Sequence, residues 1–315
     1  MSAAVSAPAG TARRLWSRWV ALWDGDEAPT ALAAIRIGVA ACVLFDLLYV
    51  AAIGLAHVIW APPAAGGLGV VHGPNAPLAV RLLGDHADAI VFGLAVSAAT
   101  CLLVGLASRV AALVLALALA QLAWLAPDAD RGIDMVFRSV LLVLAFSEAG
   151  ACWSLDAWWA RRRGHTRALV PAWPRRLLAA QLLWVYFSAG QAKLSAPWLP
   201  SGGFSALALD LADPHFARFG PGWIASIYPL TQVATALTLA FELGAPLLLL
   251  RGLVPRVPVR AIWVTLGVAF HLAIAATLRL GIFPFGMLVL YPALFTPDEL
   301  ARAAAWCRRD NVPQR

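Results

Sequence analysis

Of the chain's 315 residues, 61% are hydrophobic and only 13% charged, with a mean hydropathy of +0.76, where soluble domains run at about half apolar and a quarter charged. This balance excludes a soluble globular protein and predicts an all-α, polytopic membrane bundle. The net charge of +7 needs no nucleic acid to explain it, since membrane proteins concentrate arginine on the cytoplasmic side; the four cysteines, without CxxC spacing, indicate neither a disulfide framework nor a zinc site.

Taken in chain order, residues 1–29 form an amphipathic segment. Trp16, Trp19, Val20 and Trp23 recur at helical spacing while Arg14 and Arg18 point the other way, as in a helix lying in the membrane interface. Apolar stretches of roughly 17 to 25 residues, enough to cross a core of about 30 Å, then lie near 31–53, 89–107, 110–126, 133–151, 177–196, 229–250, 259–277 and 280–296, giving eight expected spans. The first is long and contains Arg36 and Asp46, so it reads as a retained anchor rather than a cleaved signal. Two connections, 54–88 and 197–228, are rich in Gly, Pro and aromatics (APPAAGGLGVVHGPNAP and APWLPSGGF); such irregular backbone near a membrane often caps a cavity. The bundle is expected to occupy 30–297. Residues 298–315 read as a terminal helix and tail, with Asp298 and Glu299 in its first turn and Arg308 and Arg309 in its last, as the helix dipole prefers.

Between these spans, 17 of the 24 basic residues fall on one side and 4 on the other, which predicts cytoplasmic termini. No internal repeat, soluble domain or nucleotide-binding glycine loop is visible, and without inverted repeats a transporter is disfavoured.

Ionisable residues within the bilayer cost about 2.5–3.5 kcal/mol each on insertion scales, so each needs a partner, a wet cavity or a route to the surface. Asp134 and Arg138 stand at i, i+4 with the acid first, the spacing of an ion pair on one helix face. Arg36 and Asp46 lie about 15 Å apart along one helix and must find partners on other spans, with Glu148 and Glu242 as available acids; an Arg36–Glu242 bridge and a proton-handling role are both open. His271, about 16 Å past Arg260, is either a helix-to-helix hydrogen-bond partner or a catalytic residue. His72 and His215 fall in outer connections, where they could line an entrance. With no HxxxH or HExxH spacing, no metal is expected.

Lys193, in YFSAGQAKLSAPW, is the chain's only lysine, the other 23 basic residues being arginines. It lies about 26 Å along the fifth span from Arg176, near the outer rim, where a snorkelling side chain is one reading. Arginine snorkels equally well. What arginine does not do is release its proton: desolvation lowers an ammonium's pKa by up to several units while a guanidinium stays charged. The second reading is therefore a lysine used as a base or nucleophile.

YFSAGQAKLSAPWLPSGG resembles the signature of the HTTM (horizontally transferred transmembrane) domain family, which includes the membrane domain of the vitamin K-dependent gamma-glutamyl carboxylase. FRSVLLVLAFSEAGACWSLDAWW is similar to that family's fourth-span region, with Trp153, Ser154, Leu155 and Asp156 at its end. FELGAPLLLL carries its acid as Glu242, FHLAIAATLRLGIFPFGMLVLYPALF its histidine as His271, and TALAAIRIGVAACVLFDLLY its Arg-Ile opening. The resemblance spans roughly 28–298. It implies that Lys193 is the base that deprotonates a reduced quinone (menaquinol or vitamin K hydroquinone), and that His271 joins it at the catalytic centre. Tyr186, Trp198, Glu242, Glu148, Arg36, Asp46, Asp134, Arg138, His72 and His215 are expected to line the cavity or form its charge network. Where carboxylases have Asn-Asn-His, this chain has Arg131, Gly132 and Ile133, and the large lumenal domain is not expected here; both points argue against strict gamma-carboxylation.

The expected function is thus a quinol-linked or peptide-modifying step by a protein of the bacterial inner membrane. Its expected partners are the lipid bilayer and an exported peptide or protein substrate. The alternative is a non-catalytic maturation or assembly factor that keeps its buried charges for helix packing.

Overall fold

The computed structural model describes residues 9–70, 76–165, 168–250 and 258–302. His72, Arg308, Arg309 and the tail beyond 302 lie outside the described residues. The helices are α1 (Ala9–Trp23), α2 (Thr30–Ala52), α3 (Leu55–Trp60), α4 (Leu78–Leu83), α5 (Ala87–Val104), α6 (Ser108–Leu125), α7 (Gly132–Ala145), α8 (Leu155–Arg162), α9 (Trp173–Ala192), α10 (Ala206–Ala212), α11 (Ile224–Leu243), α12 (Val259–Thr277) and α13 (Phe283–Leu288), with residues 297–302 also helical. The only strands among the described residues are a two-residue antiparallel ladder, β1 (Asp26–Glu27) with β2 (Val170–Pro171). The all-α expectation holds.

Among the described residues, five stretches are long and apolar enough to cross a membrane: Thr30–Ala52, Leu78–Val104, Ser108–Leu125, Pro221–Leu243 and Val259–Thr277. The other three expected spans take different forms. The 133–151 stretch holds α7, only 14 residues long. The 177–196 stretch lies largely in the 20-residue α9, and 280–296 breaks into α13 and a 3-10 turn at Tyr291–Leu294.

The main core lies between α2, α5, α6 and α7, and α9 joins it to α11–α13. Ala95, Ala99 and Ala112 are fully buried in this seam; such small side chains let apolar helices approach closely where no water drives them together. Proline sets several starts, standing in the first turn of α9 and of α13, where its missing N–H costs nothing.

Arg36 is fully buried in the main core. Instead of a carboxylate it meets carbonyls: Leu102 at 2.6 Å and Leu103 at 3.2 Å at the end of α5, then Ala149 at 3.1 Å and Trp153 at 2.5 Å beyond α7. The last carbonyls of a helix have no intrahelical partner, and the guanidinium's fan of donors supplies it. The expected Arg36–Glu242 bridge is therefore corrected. Gly105 closes α5 with φ +71°, and a Cβ there would stand 2.6 Å from Arg36 Nη1, so the arginine and the glycine are one device.

A second charge cluster lies where α7 begins. Arg131 joins Asp46 of α2 (2.5 Å) to Asp134 (2.9 Å), while Arg138 makes two 2.7 Å bonds to Asp130. The expected Asp134–Arg138 pair is corrected. Asp134 is the third residue of α7 and turns back to accept from the Arg131 backbone N–H at 3.0 Å, which aims it away from the following turn. Glu148 pairs with Arg109.

At the end of the bundle where α2 and α9 begin, Arg175 makes two 2.7 Å bonds to Glu27 and donates to the Ala293 carbonyl at 3.0 Å, beside the β1–β2 ladder. Nearby, Arg260 holds Glu299 and donates to it at 2.8 Å. That hydrogen bond lowers the Glu299 carboxyl from 4.5 to about 2, against a smaller opposing effect of burial. A depressed carboxylate stabilises the fold above its unfolded pKa, and the contribution is lost as pH falls through the folded one. Docking of the 297–302 helix is thus expected to loosen between pH 4.5 and about 2. Hydrogen exchange of that segment, corrected for intrinsic rates, should show this step in the native protein; its persistence in Glu299→Gln would refute the assignment.

Candidate active site

Helices α9 and α11 both end at the same place. Gly190 in the last turn of α9 lies so close to α11 that a Cβ would meet Glu242 Cβ and the Leu243 backbone at 3.0 Å. Lys193 is the C-cap of α9, and Ser195 and the 3-10 turn Ala196–Trp198 stop the helix from continuing. Two helix C-termini, each carrying partial negative charge, therefore converge on the lysine.

Lys193 Nζ lies 2.9 Å from Glu242 Oε1, with side-chain exposures of 26% and 4%. The ammonium also stands 5.3 Å from the centroid of the Trp198 ring, within cation–π range. The second carboxylate oxygen of Glu242 is buried and has no hydrogen-bond partner among the described residues.

This pair forms one wall of a cavity of about 280 Å³. Tyr186, Trp198 and Asp210 complete its polar and aromatic edge, and Leu207, Phe270, Ile274, Leu278, Leu280, Phe283 and Met287 make the rest apolar. Small-molecule sites typically show this combination of apolar walls and a few convergent polar groups. Burial pushes the Asp210 carboxyl above the ordinary carboxylate range, opposed by the charge of Lys193.

Behind the wall, the Tyr186 hydroxyl contacts His271 Nε2 at 2.5 Å and the Tyr291 hydroxyl at 2.9 Å. Phe241, Trp263, Phe270 and Phe283 enclose these groups with ring centroids 5.0 to 5.7 Å from Tyr186 or His271. His271 is fully buried, and its Nδ1 has no partner among the described residues. It supports Tyr186 rather than lining the cavity itself.

Of the residues singled out by sequence, Lys193, Glu242, Tyr186 and Trp198 meet here, with His271 one layer back. Arg36, Asp46, Asp134, Arg138 and Glu148 lie in the structural networks described above. His215 is not among the residues lining the cavity; its side chain is 85% exposed and pairs with Asp213 at 2.9 Å. Asp210 and Tyr291 were not anticipated. Asp210 stands in an outer connection with nothing to mark it, and Tyr291 looks like one more apolar-span aromatic until the fold places it beside Tyr186. Among the described residues no group of three or more His, Cys, Asp or Glu side chains is arranged to hold a metal.

A family model described as the HTTM domain matches residues 26–299, nearly the whole chain. No solved structure matches it.

Proposed function

We propose, starting from the fact that this chain belongs to the HTTM domain family, that it is a carboxylase-like membrane enzyme that seats a reduced quinone in the cavity and accepts a proton onto Lys193. The cavity's residues fit such a group, since the apolar walls suit a ring and tail while the polar edge offers an acceptor. When bound, a reduced quinone would supply an acidic hydroxyl and a pair of electrons.

The chain's own part is proton handling. One proton is shared across the 2.9 Å between Nζ and Oε1. On nitrogen it makes an ammonium and a carboxylate; on oxygen it leaves Nζ a free amine. An apolar ligand that expels water from the site would weaken the solvation of the ion pair and shift the shared proton toward oxygen. Glu242 is then the group that makes Lys193 a base, and Tyr186, backed by His271 and Tyr291, fixes the adjacent wall. The observation that carries this reading is the meeting of the only lysine and a nearly inaccessible glutamate on the wall of an apolar cavity.

The proposed setting is a bacterial inner membrane with cytoplasmic termini, and the proposed acceptor of the chemistry is an exported peptide or protein. Strict gamma-carboxylation is not part of the proposal. A second reading, a non-catalytic maturation factor, draws support from Arg36, Arg131, Arg138 and Arg175, which all have partners suited to helix packing.

Protein in nanodiscs supplied with reduced menaquinone and oxygen should consume the quinol. Lys193→Arg should slow consumption by roughly 100-fold or more, the usual contribution of a general base, and Glu242→Gln should also slow it. Equal consumption by native protein and Lys193→Arg would overturn the base assignment, and none with any quinol would favour the maturation factor.

A further inference from the structure

A larger cavity, about 760 Å³, lies at the opposite end of the bundle between the start of α6, the turn after α7, and α8. It shares no residue with the proton-handling site, and its volume falls within the roughly 300–1,000 Å³ of ligand pockets.

Both of its carboxylates are already engaged. Asp156 accepts from the Ala107 and Ser108 N–H groups at 2.8 and 2.9 Å and from the Ser108 hydroxyl at 2.8 Å, so its charge is spent on the start of α6. Glu148 is held by Arg109. Arg161 lines the same cavity and has no carboxylate partner among the described residues, and His165 stands beside it in the lining. The cavity therefore offers the Arg161 guanidinium to an incoming anion.

Helix α8, which carries Arg161, shows where that anion would come from. Leu155, Trp158 and Trp159 are exposed, and Arg162 stacks over the Trp158 ring at 3.9 Å. Exposed tryptophans flanked by arginines are typical of a helix at the level of lipid headgroups, where anionic lipids attract basic side chains.

We infer that this cavity is a glycerophosphate-binding site, with Arg161 as the phosphate ligand and His165 at the rim. A phospholipid headgroup and a soluble phosphate ester share this chemistry, and the test separates them.

Protein from nanodiscs containing phosphatidylglycerol as the minor lipid in phosphatidylcholine would be released into mild detergent and weighed by native mass spectrometry. The native chain should retain phosphatidylglycerol. Arg161→Gln should reduce retention roughly tenfold, the loss of one charge-assisted bond. Arg163→Gln, the same change outside the cavity lining, should not. In parallel, glycerol phosphate would be titrated against protein in phosphatidylcholine alone while the melting temperature is followed. Stabilisation that Arg161→Gln abolishes, without lipid retention, would keep the site and assign it to a soluble ester. Equal retention by both variants, together with no response to glycerol phosphate, would overturn the inference. The unliganded melting temperatures of the two variants should match, since both side chains are exposed.

Discussion

Replacing Arg36 by methionine is expected to destabilise the protein by at least about 3 kcal/mol, because each buried acceptor left without a donor costs about 1–3 kcal/mol. Methionine fills much of the space but donates nothing, and while the Leu102 carbonyl keeps the Gly105 N–H, those of Leu103, Ala149 and Trp153 lose the guanidinium. Lysine should fall between the two, since one ammonium cannot reach four divergent acceptors. Denaturant unfolding in mixed micelles would measure the difference. A methionine variant within about 1 kcal/mol of the native protein would mean that the carbonyls find other donors or tolerate going without.

Lys193→Met should destabilise by about 3–5 kcal/mol, the usual result of stripping one partner from a buried ion pair. The Glu242 carboxylate would be left inaccessible and facing an apolar side chain. Adding Glu242→Gln removes the stranded charge, so the double variant should recover most of the loss. The coupling measured by this double-mutant cycle isolates the pair from the packing of either side chain. Additive losses would show that the two residues do not act as a unit and would remove the basis for treating them as one proton-sharing group. Recovery of stability should bring no recovery of the proposed quinol consumption, because the double variant lacks the proposed base.

The all-α membrane bundle could be read from the sequence because apolar length is a local property. Partners were harder. Arg36 plainly needed a counterpart, but its counterparts are backbone carbonyls at helix ends, which no residue type marks. Asp134 and Arg138 have ion-pair spacing, yet that rule holds only inside a helix, and Asp134 sits in the first turn, where orphan backbone donors compete for its oxygens. Lys193 was conspicuous because it is unique. Its pairing with Glu242 was not, because nothing in either segment marks that the last turns of α9 and α11 meet at Gly190.

The cover over the cavity walled by Lys193 and Glu242 has a small apolar nucleus of its own. Ala208 and Leu211 of α10 pack with Ile224 and Leu278, apart from the main core, while Arg175, Glu27 and the ladder clamp the other end. Segments with their own small cluster open at lower free energy than the body of a protein. A long apolar ligand would thus have a hinged door on one side and a clamped seam on the other, and its admission should displace α10 while the four-helix body keeps its shape.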